Sequence, residues 1–448
     1  MRILLLHLTN RENEGGDYYR TESLGLGYIA AVLRRDGHEV ELFDADMQRL
    51  NYRRTLEGVL QREFDCLGIT ALQDSKDAVM RIARDVRKKR KSVIILAGGY
   101  FPTLATEGML RACPEIDFVV RGEGEQVASD VFGRISRNED WRPTPGVAYI
   151  ENGDYIANPA PPLIADLDTL PFPARDVIIQ APKSSVLGAS VASGRGCYHK
   201  CSFCSIRSFY SVSGSHLPRR RSPSNFVDEI ESVVAATGVR RFQFVDDDFV
   251  GPGDKGKERA ASIAEEIRNR SGLKIRFSME CRTDEVHVDT LELLKEAGLI
   301  RVFLGVEAGV QRMLDTFNKG TTVEQNKRAI EMVREVGLDV DTGFIMYDPY
   351  TTVAEIEENL RFIREMGLQG DIPPTSLLRL ELYEGIPLMD KVRADGLVRR
   401  KGLDFTYKFQ DPQTRIAWIG SVVSDSLAKL TRRKKIEAAK AEILNEVD

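Results

Sequence analysis

The segment Ser193–Cys204, SGRGCYHKCSFC, places Cys197, Cys201 and Cys204 in one short stretch with the spacing Cys-x3-Cys-x2-Cys. Three thiolates in such a loop can bind three irons of a [4Fe–4S] cluster, because soft sulfur ligands suit iron–sulfur clusters. No fourth cysteine lies nearby, so one iron would stay open to a ligand that the protein does not supply. The spacing therefore predicts a catalytic cluster rather than an electron carrier.

Zinc is the alternative occupant of the same loop, with His199 or Cys281 as the fourth ligand. Zinc sites usually draw their ligands in pairs from two separate knuckles, and this sequence contains no second knuckle. The cysteine spacing therefore favours the iron–sulfur cluster.

Around the cysteines, strand-like apolar runs alternate with amphipathic helical patterns. The runs lie at 187–192, 241–245, 274–278, 301–305, 339–346 and 376–382. Six such units predict a partial six-unit β/α barrel, in which the chemistry sits at the carboxyl ends of the strands. We place this barrel at residues 186–395.

Residues 1–135 show the same alternation with shorter strands, which predicts an α/β domain with a doubly wound, Rossmann-like parallel sheet. Residues 136–185 are rich in proline, and Asn152-Gly153 predicts a small hairpin within this linker. Residues 396–448 form a short tail that we expect to be mostly helical. Its charged helix, 426–447, is predicted to present a solvated face.

Composition excludes several classes of protein. With 63 Lys and Arg against 68 Asp and Glu, the net charge of −5 is too balanced for an electrostatic nucleic-acid binder. The apolar runs are far shorter than the ~20 residues of a membrane-spanning helix, and the N-terminus shows no signal peptide. Six cysteines in 448 residues form no disulfide framework. We expect a cytoplasmic protein.

The cysteine loop, including the aromatic Phe203 before the last cysteine, resembles the signature of the radical S-adenosylmethionine (radical SAM) superfamily. The resemblance implies a partial six-unit barrel and a SAM molecule chelated to the open iron. It also implies that one-electron reduction cleaves SAM to a 5′-deoxyadenosyl radical, which abstracts hydrogen from an unactivated C–H bond. An external flavodoxin-like or ferredoxin-like protein would donate the electron.

The resemblance also implies which residues contact SAM. They share a position at or near the ends of successive strands, and they are Phe203, Asp246, Asp247, Glu280, Arg282, Glu307 and Ile345. Glu307 resembles the carboxylate that accepts hydrogen bonds from the ribose hydroxyls. Acidic residues after strands are also common as helix caps, so it is their occurrence together that supports the site.

A doubly wound domain before a radical SAM barrel resembles the cobalamin-dependent subclass. The positions that match its cobalamin site follow the strands of residues 1–135: Leu26, Gly27, Thr70, Ala71, Leu72, Gly98, Gly99, Tyr100, Phe101, Thr103, Arg121, Gly122 and Glu123. Glycines there allow close approach of the corrinoid tail, although tight turns alone would also explain them.

Two departures from cobalamin enzymes stand out. The Asp-x-His-x-x-Gly motif that supplies an axial histidine is absent, so we expect no protein histidine on cobalt. Phe101 stands where relatives often have histidine. His7 and His38 could act as ligands, although a histidine beside a strand is more often structural.

The resemblance implies a cobalamin-dependent radical SAM enzyme, and we expect a methyltransferase that acts on an unactivated carbon of a small-molecule substrate. Methylcobalamin would supply the methyl group. The first alternative is a radical cyclisation or ring rearrangement with the same cofactors. The second is a cobalamin-binding sensor or a zinc-stabilised interaction protein.

Overall fold

The computed structural model describes residues 1–8, 22–181, 188–373 and 378–424. The charged helix predicted at 426–447 lies outside the described residues, as do parts of two predicted strand runs, 187–192 and 376–382. Within the described residues, no helix is both long enough and apolar enough to cross a membrane.

The N-terminal half forms a parallel sheet with helices on both faces. Its elements are β1 Arg2–His7, α1 Leu24–Arg35, β2 Glu39–Asp44, α2 Tyr52–Leu60, β3 Cys66–Thr70, α3 Lys76–Lys89, β4 Ile94–Gly98, α4 Tyr100–Leu104, α5 Thr106–Ala112, β5 Phe118–Val120, α6 Gly124–Ser136, β6 Val147–Glu151 and β7 Asp154–Ala157. The strand order is β2-β1-β3-β4-β5-β6-β7. Strands β1 to β5 are parallel, which confirms the doubly wound sheet.

The alternation of side chains along β1 explains why both faces of this sheet are covered. Ile3 and Leu5 belong to one buried apolar cluster, and Leu4 and Leu6 belong to the other. Successive residues of a strand point to opposite faces, so a continuous apolar strand needs a helical layer on each side. The strand order also reverses between β1 and β3, which opens a crevice at their carboxyl ends.

The predicted hairpin is present and extends this sheet. Asn152 and Gly153 have φ values of 52° and 90°, as the tight turn between β6 and β7 requires. Strand β6 pairs antiparallel with β5, through Val119 and Ala148. The hairpin is therefore the edge of the N-terminal sheet rather than an isolated linker element. The domain boundaries at 135, 185 and 395 stay predictions.

The second sheet is the partial barrel. Its elements are α7 Asp176–Gln180, β8 Ala189–Val191, β9 Gly194–Arg195, α8 Ser205–Ser211, β10 Arg219–Arg220, α9 Pro223–Thr237, β11 Arg241–Phe244, α10 Gly253–Asn269, β12 Arg276–Arg282, α11 Val288–Glu296, β13 Leu299–Glu307, α12 Gln311–Thr316, α13 Val323–Glu335, β14 Asp339–Phe344, α14 Val353–Glu365 and α15 Pro387–Ala394. Strands β8, β11, β12, β13 and β14 are parallel neighbours in that order.

The sixth barrel unit is reduced within the described residues. The predicted sixth strand is represented by one parallel bridge between Tyr347 and Arg379. Hydrogen bonds from Tyr347 N to Leu378 O and from Leu380 N to Tyr347 O extend this contact. The chain thus begins a sixth strand beside β14, which agrees with a barrel that does not close.

Local sequence explains where several barrel helices begin. The Thr322 and Thr352 hydroxyls each accept a hydrogen bond from the backbone N–H three residues later. In return, the side chains of Gln325 and Glu355 accept a hydrogen bond from the backbone N–H of the threonine. Such capping boxes satisfy two otherwise unpaired N–H groups at a helix start. They fix the starts of α13 and α14, the helices before and after β14.

The C-terminal part adds a hairpin that we did not predict. Strands β15 Val398–Lys401 and β16 Asp404–Tyr407 pair antiparallel, and a helix follows at 412–424. Asp404 lies 2.5 Å from the Lys76 ammonium group on α3. This ion pair connects the C-terminal hairpin to the N-terminal sheet.

A buried ionic network joins α1 and Glu22, two residues before it, to the barrel. Arg175 pairs with Glu22 and with Glu229 on α9, and Arg221 also pairs with Glu229. Tyr28 donates a hydrogen bond to Glu229 at 3.4 Å. Because the side chains of Glu22 and Glu229 are almost fully buried, neither carboxylate has water as an alternative partner.

We expect Arg175→Met to lower the free energy of unfolding by about 3 kcal/mol, because it leaves Glu22 as an unpaired buried charge. Urea unfolding of both proteins measures this difference. Arg328→Met is the matched control, since Arg328 is exposed and its ion pairs are long; it should change the unfolding free energy by less than about 1 kcal/mol. Equal effects of the two substitutions would contradict the role of the network.

Candidate active site

Two aspartates at the end of β11 hold the cysteine loop in place. Asp246 accepts hydrogen bonds from the Ser193 backbone N–H at 3.0 Å and the Ser193 hydroxyl at 2.7 Å. Asp247 accepts from the Gly196 backbone N–H at 2.7 Å, directly before Cys197. Both were predicted to contact SAM; each has a partner in the loop, and a contact with SAM stays a prediction.

The three cysteines follow in a buried environment. Cys201 is buried, Cys197 and Cys204 are partly buried, and burial raises the pKa of the Cys197 and Cys204 thiols to about 12. A thiolate in such surroundings needs nearby positive charge, which bound iron supplies when the thiols give up their protons. The donor set of three thiolates on one loop therefore fits an iron–sulfur cluster.

The structure also bears on the zinc alternative. Cys281 packs in the apolar core between β12 and the helices, and its thiol lies 3.2 Å from the Arg282 carbonyl oxygen. It therefore faces away from the barrel interior that Glu280 lines. Within the described parts of the chain, no three His, Cys, Asp or Glu side chains surround a common metal-ion position.

Cationic side chains approach the loop from the barrel. Arg282 donates a hydrogen bond to the Cys201 sulfur at 3.7 Å and another to the Lys319 carbonyl oxygen at 2.6 Å. The buried Lys319 ammonium group lies 2.7 Å from a Glu307 carboxylate oxygen. Burial opposes protonation of Lys319, but the charges of Glu307 and Cys201 outweigh it and raise the Lys319 pKa.

Glu307 has an unusual backbone at the end of β13. Its φ is 61°, a left-handed conformation that is uncommon for a residue other than glycine, and the β13–β14 register shifts beside it. A Cβ on Gly305 would lie 2.6 Å from the Lys319 nitrogen and 2.9 Å from a Glu307 oxygen. The glycine at position 305 thus leaves room for the ion pair between Glu307 and Lys319.

Other residues predicted to contact SAM lie close to this pair. The Ile345 backbone N–H donates to the Glu307 carbonyl oxygen at 2.7 Å. Phe203 packs against Phe317, with ring centroids 5.1 Å apart. The structure thus brings Arg282, Glu307 and Ile345 near the cysteine loop, while their contacts with SAM stay a prediction.

Glu280 lies in different surroundings from Arg282, although we predicted that both residues contact SAM. It lines a cavity of about 210 Å³ inside the barrel, together with Gln243, Ser278, Met279, Arg301, Phe303 and Asp341. Burial, and then the charges of Asp247, Asp246 and Glu307, raise the Glu280 pKa to about 7. Among the described residues its carboxylate has no hydrogen-bond partner.

A second, larger cavity of about 460 Å³ lies between the N-terminal sheet and the barrel. Its walls include the carboxyl ends of β1, β3 and β4 on one side, and Arg195, Phe209, Tyr210 and Asp247 of the barrel on the other. The cavity is also lined by Leu5, Gly68 and Leu96, which lie within the strands of the sheet. The cavity therefore occupies the crevice at the topological switch point and extends to the cysteine loop.

Eight of the residues predicted to bind cobalamin line this cavity: Leu26, Thr70, Leu72, Gly98, Gly99, Tyr100, Gly122 and Glu123. Glu123 is also held by Arg195 at 2.9 Å and Arg219 at 2.8 Å. A Cβ on Gly99, whose φ is 96°, would lie 2.7 Å from the Thr70 hydroxyl, so this turn requires glycine.

Five further residues predicted for the same site are placed behind the cavity wall. Gly27 accepts a hydrogen bond from the Ala174 N–H, and a Cβ on Gly27 would lie 3.0 Å from the Ala174 oxygen. Thr103 accepts from the Gly122 N–H at 3.0 Å. Ala71 and Phe101 are buried in the core, and Arg121 pairs with the Asn158 carbonyl oxygen. Their packing explains these five positions; a role in binding stays a prediction.

Sequence reasoning missed Lys319 and Arg195. Lys319 follows a helix and shows no pattern that links it to Glu307. Arg195 lies inside the cysteine segment, and no residue near it in sequence indicates its partners. Its guanidinium group pairs with Glu123 at 2.9 Å and with Glu125 at 2.6 Å.

Two family models match this chain. Residues 191–363 match the radical SAM superfamily, and residues 17–132 match the B12 binding domain. The fold and the site thus define a radical SAM barrel combined with a B12-binding domain. The chain belongs to the cobalamin-dependent radical SAM enzymes, whose cofactors are a [4Fe–4S] cluster, SAM and cobalamin.

Curated relatives extend over most of the chain. An uncharacterized methyltransferase of Pyrococcus horikoshii is 27% identical over 415 residues, which cover 92% of this chain and 86% of the relative. The anaerobic magnesium-protoporphyrin IX monomethyl ester cyclase of Rubrivivax gelatinosus is 29% identical, over 82% of this chain and 66% of the cyclase. This chain therefore spans slightly less than two thirds of the cyclase.

Solved structures share the fold. The cobalamin-dependent SAM radical enzyme OxsB, with aqua-cobalamin and SAM bound, superimposes with a TM-score of 0.76 at 20% identity, over 92% of this chain and 64% of OxsB. The radical SAM methyltransferase TsrM from Kitasatospora setae gives 0.69 at 17% identity, over 88% of this chain and 75% of TsrM.

We expect Glu280 to make the apoprotein less stable as the pH rises. Its pKa is about 7 in the folded state against 4.5 normally, so between these values the folded state binds more protons and the unfolding free energy falls with pH. In Glu280→Gln this fall should be smaller by about 2–3 kcal/mol. Urea unfolding at several pH values measures it. The exposed Glu358→Gln is the control, and identical pH profiles for the two variants would contradict the prediction.

We expect Lys319→Met to weaken SAM binding about tenfold or more, because the Glu307 carboxylate loses the charged hydrogen bond that orients it. Equilibrium dialysis of SAM with the anaerobically reconstituted protein measures the dissociation constant. Lys327→Met removes an exposed lysine paired with Glu365 and serves as the control. If Lys319→Met keeps its iron and binds SAM with unchanged affinity, the ion pair between Lys319 and Glu307 does not contribute to SAM binding.

Proposed function

We propose that this enzyme is a C-methyltransferase that transfers a methyl group to an unactivated carbon of a small molecule. One observation carries the proposal: the inter-domain cavity touches both the strand ends of the B12-binding sheet and the cysteine loop. A substrate carbon between the two would have the site of radical formation on one side and the methyl donor on the other. Methylases and methyltransferases among the relatives support this reading.

When bound, the cofactors supply a 5′-deoxyadenosyl radical, formed by reductive cleavage of SAM, and a methyl group from methylcobalamin. The protein supplies position and charge. Cys197, Cys201 and Cys204 would hold the cluster, and Arg282 would donate to the Cys201 sulfur as it does here. Glu307, oriented by Lys319, would accept hydrogen bonds from the ribose.

The barrel cavity is the second element of the proposal. Its lining combines Glu280, Asp341, Arg301, Gln243 and Ser278 with one aromatic ring, that of Phe303. These polar side chains lie along the middle of strands β11 to β14, and they would hold a polar part of the substrate. We further propose an external flavodoxin-like or ferredoxin-like electron donor and a cytoplasmic location, as the sequence predicts.

The alternative is a radical cyclisation or rearrangement that uses the same cofactors. The cyclase relatives favour it, because they are similar to this chain over most of its length. Methylation and cyclisation differ in the fate of the SAM methyl group, so one labelling experiment separates them.

We expect turnover with SAM that carries a trideuterated methyl group to give a product that is heavier by one labelled methyl group. Anaerobically reconstituted protein with cobalamin, a strong reductant and candidate substrates is analysed by mass spectrometry. A product that lacks the label and has lost hydrogen would identify a cyclase and refute methyl transfer.

The control is Cys201→Ala, which removes one cluster ligand. It should lose iron and form neither 5′-deoxyadenosine nor methylated product. Cys113→Ala, which changes a buried cysteine of the N-terminal sheet, should keep the iron. Methylation by iron-free Cys201→Ala would show that the methyl transfer does not require the cluster.

A further inference from the structure

The helix at 412–424 has an inner face that is fixed to the barrel. The hydroxyl of the buried Thr414 donates a hydrogen bond to the Thr351 carbonyl oxygen at 2.6 Å. Ala417 and Trp418 pack against the apolar core of the barrel. The helix therefore has a defined orientation on the barrel, and its opposite face is directed away from the protein.

This outer face carries an apolar stripe that consists of Ile416, Ile419 and Val423. Their exposed fractions are 71%, 44% and 53%. Side chains at this spacing lie on one side of a helix, so the three form one continuous strip. Seven large apolar side chains are exposed in the part of the chain that the structure describes, and three of them lie here. Single exposed apolar side chains need no partner, whereas a contiguous group of them indicates a binding surface.

The sequence around and after the apolar stripe is basic. Residues 413–436 contain six Lys and Arg and a single Asp, in a chain whose net charge is −5. Four of these cations are consecutive and form the basic run, RRKK at 432–435. Leu427 and Leu430 continue the apolar spacing of the stripe in the sequence between them. Apolar residues at helical spacing followed by clustered cations fit an anionic lipid bilayer, which is apolar inside and negatively charged at its surface.

Two other occupants of the apolar stripe fit these observations less well. A protein groove closes around a helix on more than one face, and the inner face of this helix is already covered by the barrel. A second copy of the chain, paired in parallel, would place the two basic runs side by side, where like charges repel. A bilayer contacts only the exposed face and attracts the cations.

We propose that this chain binds to the surface of anionic membranes through the apolar stripe and the basic run. The stripe enters the boundary between the headgroups and the acyl chains, and the cations of the basic run lie at the headgroups. The binding is peripheral and reversible, and it does not depend on whether the enzyme methylates or cyclises. The proposal also revises our expectation that the charged segment after residue 425 only faces solvent.

Co-sedimentation with lipid vesicles tests this binding. The full-length, anaerobically reconstituted protein is mixed with vesicles of phosphatidylcholine alone or of phosphatidylcholine with phosphatidylserine. We expect the anionic vesicles to bind the protein about tenfold or more tightly than the neutral ones, and high salt to reduce this difference because it screens the cations. Equal binding to the two kinds of vesicle, or no binding to either, would overturn the proposal.

Two variants assign the binding to the apolar stripe and to the basic run. The stripe variant combines Ile416→Ser, Ile419→Ser and Val423→Ser, and it should bind anionic vesicles about tenfold or more weakly. Leu293→Ser is the matched control, because Leu293 is 38% exposed on α11; it should bind like the original protein. The charge variant should lose the preference for anionic vesicles: Arg432→Gln, Arg433→Gln, Lys434→Gln and Lys435→Gln. Circular dichroism and the iron content check that each variant is folded. Undiminished binding by the folded stripe variant would overturn the assignment.

Sedimentation velocity without vesicles tests the other occupants. We expect the original protein and the stripe variant to sediment alike. A dimer that only the original protein forms would assign the apolar stripe to a second copy and overturn the proposal. A protein that neither binds vesicles nor self-associates through the stripe would leave this face to a different protein, which also overturns the proposal. Methyl transfer is measured with the deuterium label in the absence of vesicles, so the two proposals are judged separately.

Discussion

The hydrogen bonds from the cysteine loop to Asp246 and Asp247 are the constraint on which the site depends. A buried carboxylate is costly unless it is fully bonded, and the N–H groups of Ser193 and Gly196 meet that need. Arg220 and Arg259 complete the arrangement, because Arg220 pairs with Asp246 and Arg259 donates to the Ser193 hydroxyl. The loop is therefore fixed to the end of β11 by the protein alone, and the cysteines have defined positions before a cluster is assembled.

The same loop is bound to the N-terminal sheet from its other side. Arg195 lies one residue before Gly196, and it reaches Glu123 and Glu125 at the start of α6. Its guanidinium group also lies 4.9 Å from the centre of the Tyr28 ring on α1. One short segment thus connects the barrel strand ends to the cobalamin-binding crevice. Through these contacts the segment links the loop that would hold the cluster to the crevice that would hold the corrinoid.

Patterns along the chain predicted the strands, because alternation of apolar runs and helices is a local property. They also predicted the cysteine loop and the cavity position of residues such as Thr70, Gly98 and Gly99, which follow strands. Pairings between distant segments left no local trace. Arg195 beside Glu123 is such a case, because the two residues are 72 positions apart and meet only where the barrel packs against the N-terminal sheet. Lys319 follows Glu307 by 12 positions with α12 between them, so this pair forms only when the chain folds back after that helix.

Two other predicted positions show why a local pattern does not by itself identify a ligand contact. Thr103 and Gly27 matched the expected positions, yet each is occupied with packing inside the domain. A residue that supports a turn and a residue that contacts a ligand obey the same local preference for small or hydroxylated side chains. Only the direction of the side chain separates them, and that direction depends on neighbours far away in sequence.

Acidic side chains dominate the barrel opening, and this charge has consequences for what can bind there. Burial, together with neighbouring carboxylates, raises the pKa of Asp247 and Asp248 to about 6. The nearby cations Arg220 and Arg282 act to lower the pKa of Asp248, but burial outweighs them. A sulfonium cofactor with an ammonium group relieves the repulsion, whereas an anionic group of a substrate would increase it. The carboxylates of the barrel interior are therefore suited to cationic and hydrogen-bond-donating groups, whereas Arg301 in the same cavity would favour an anionic one.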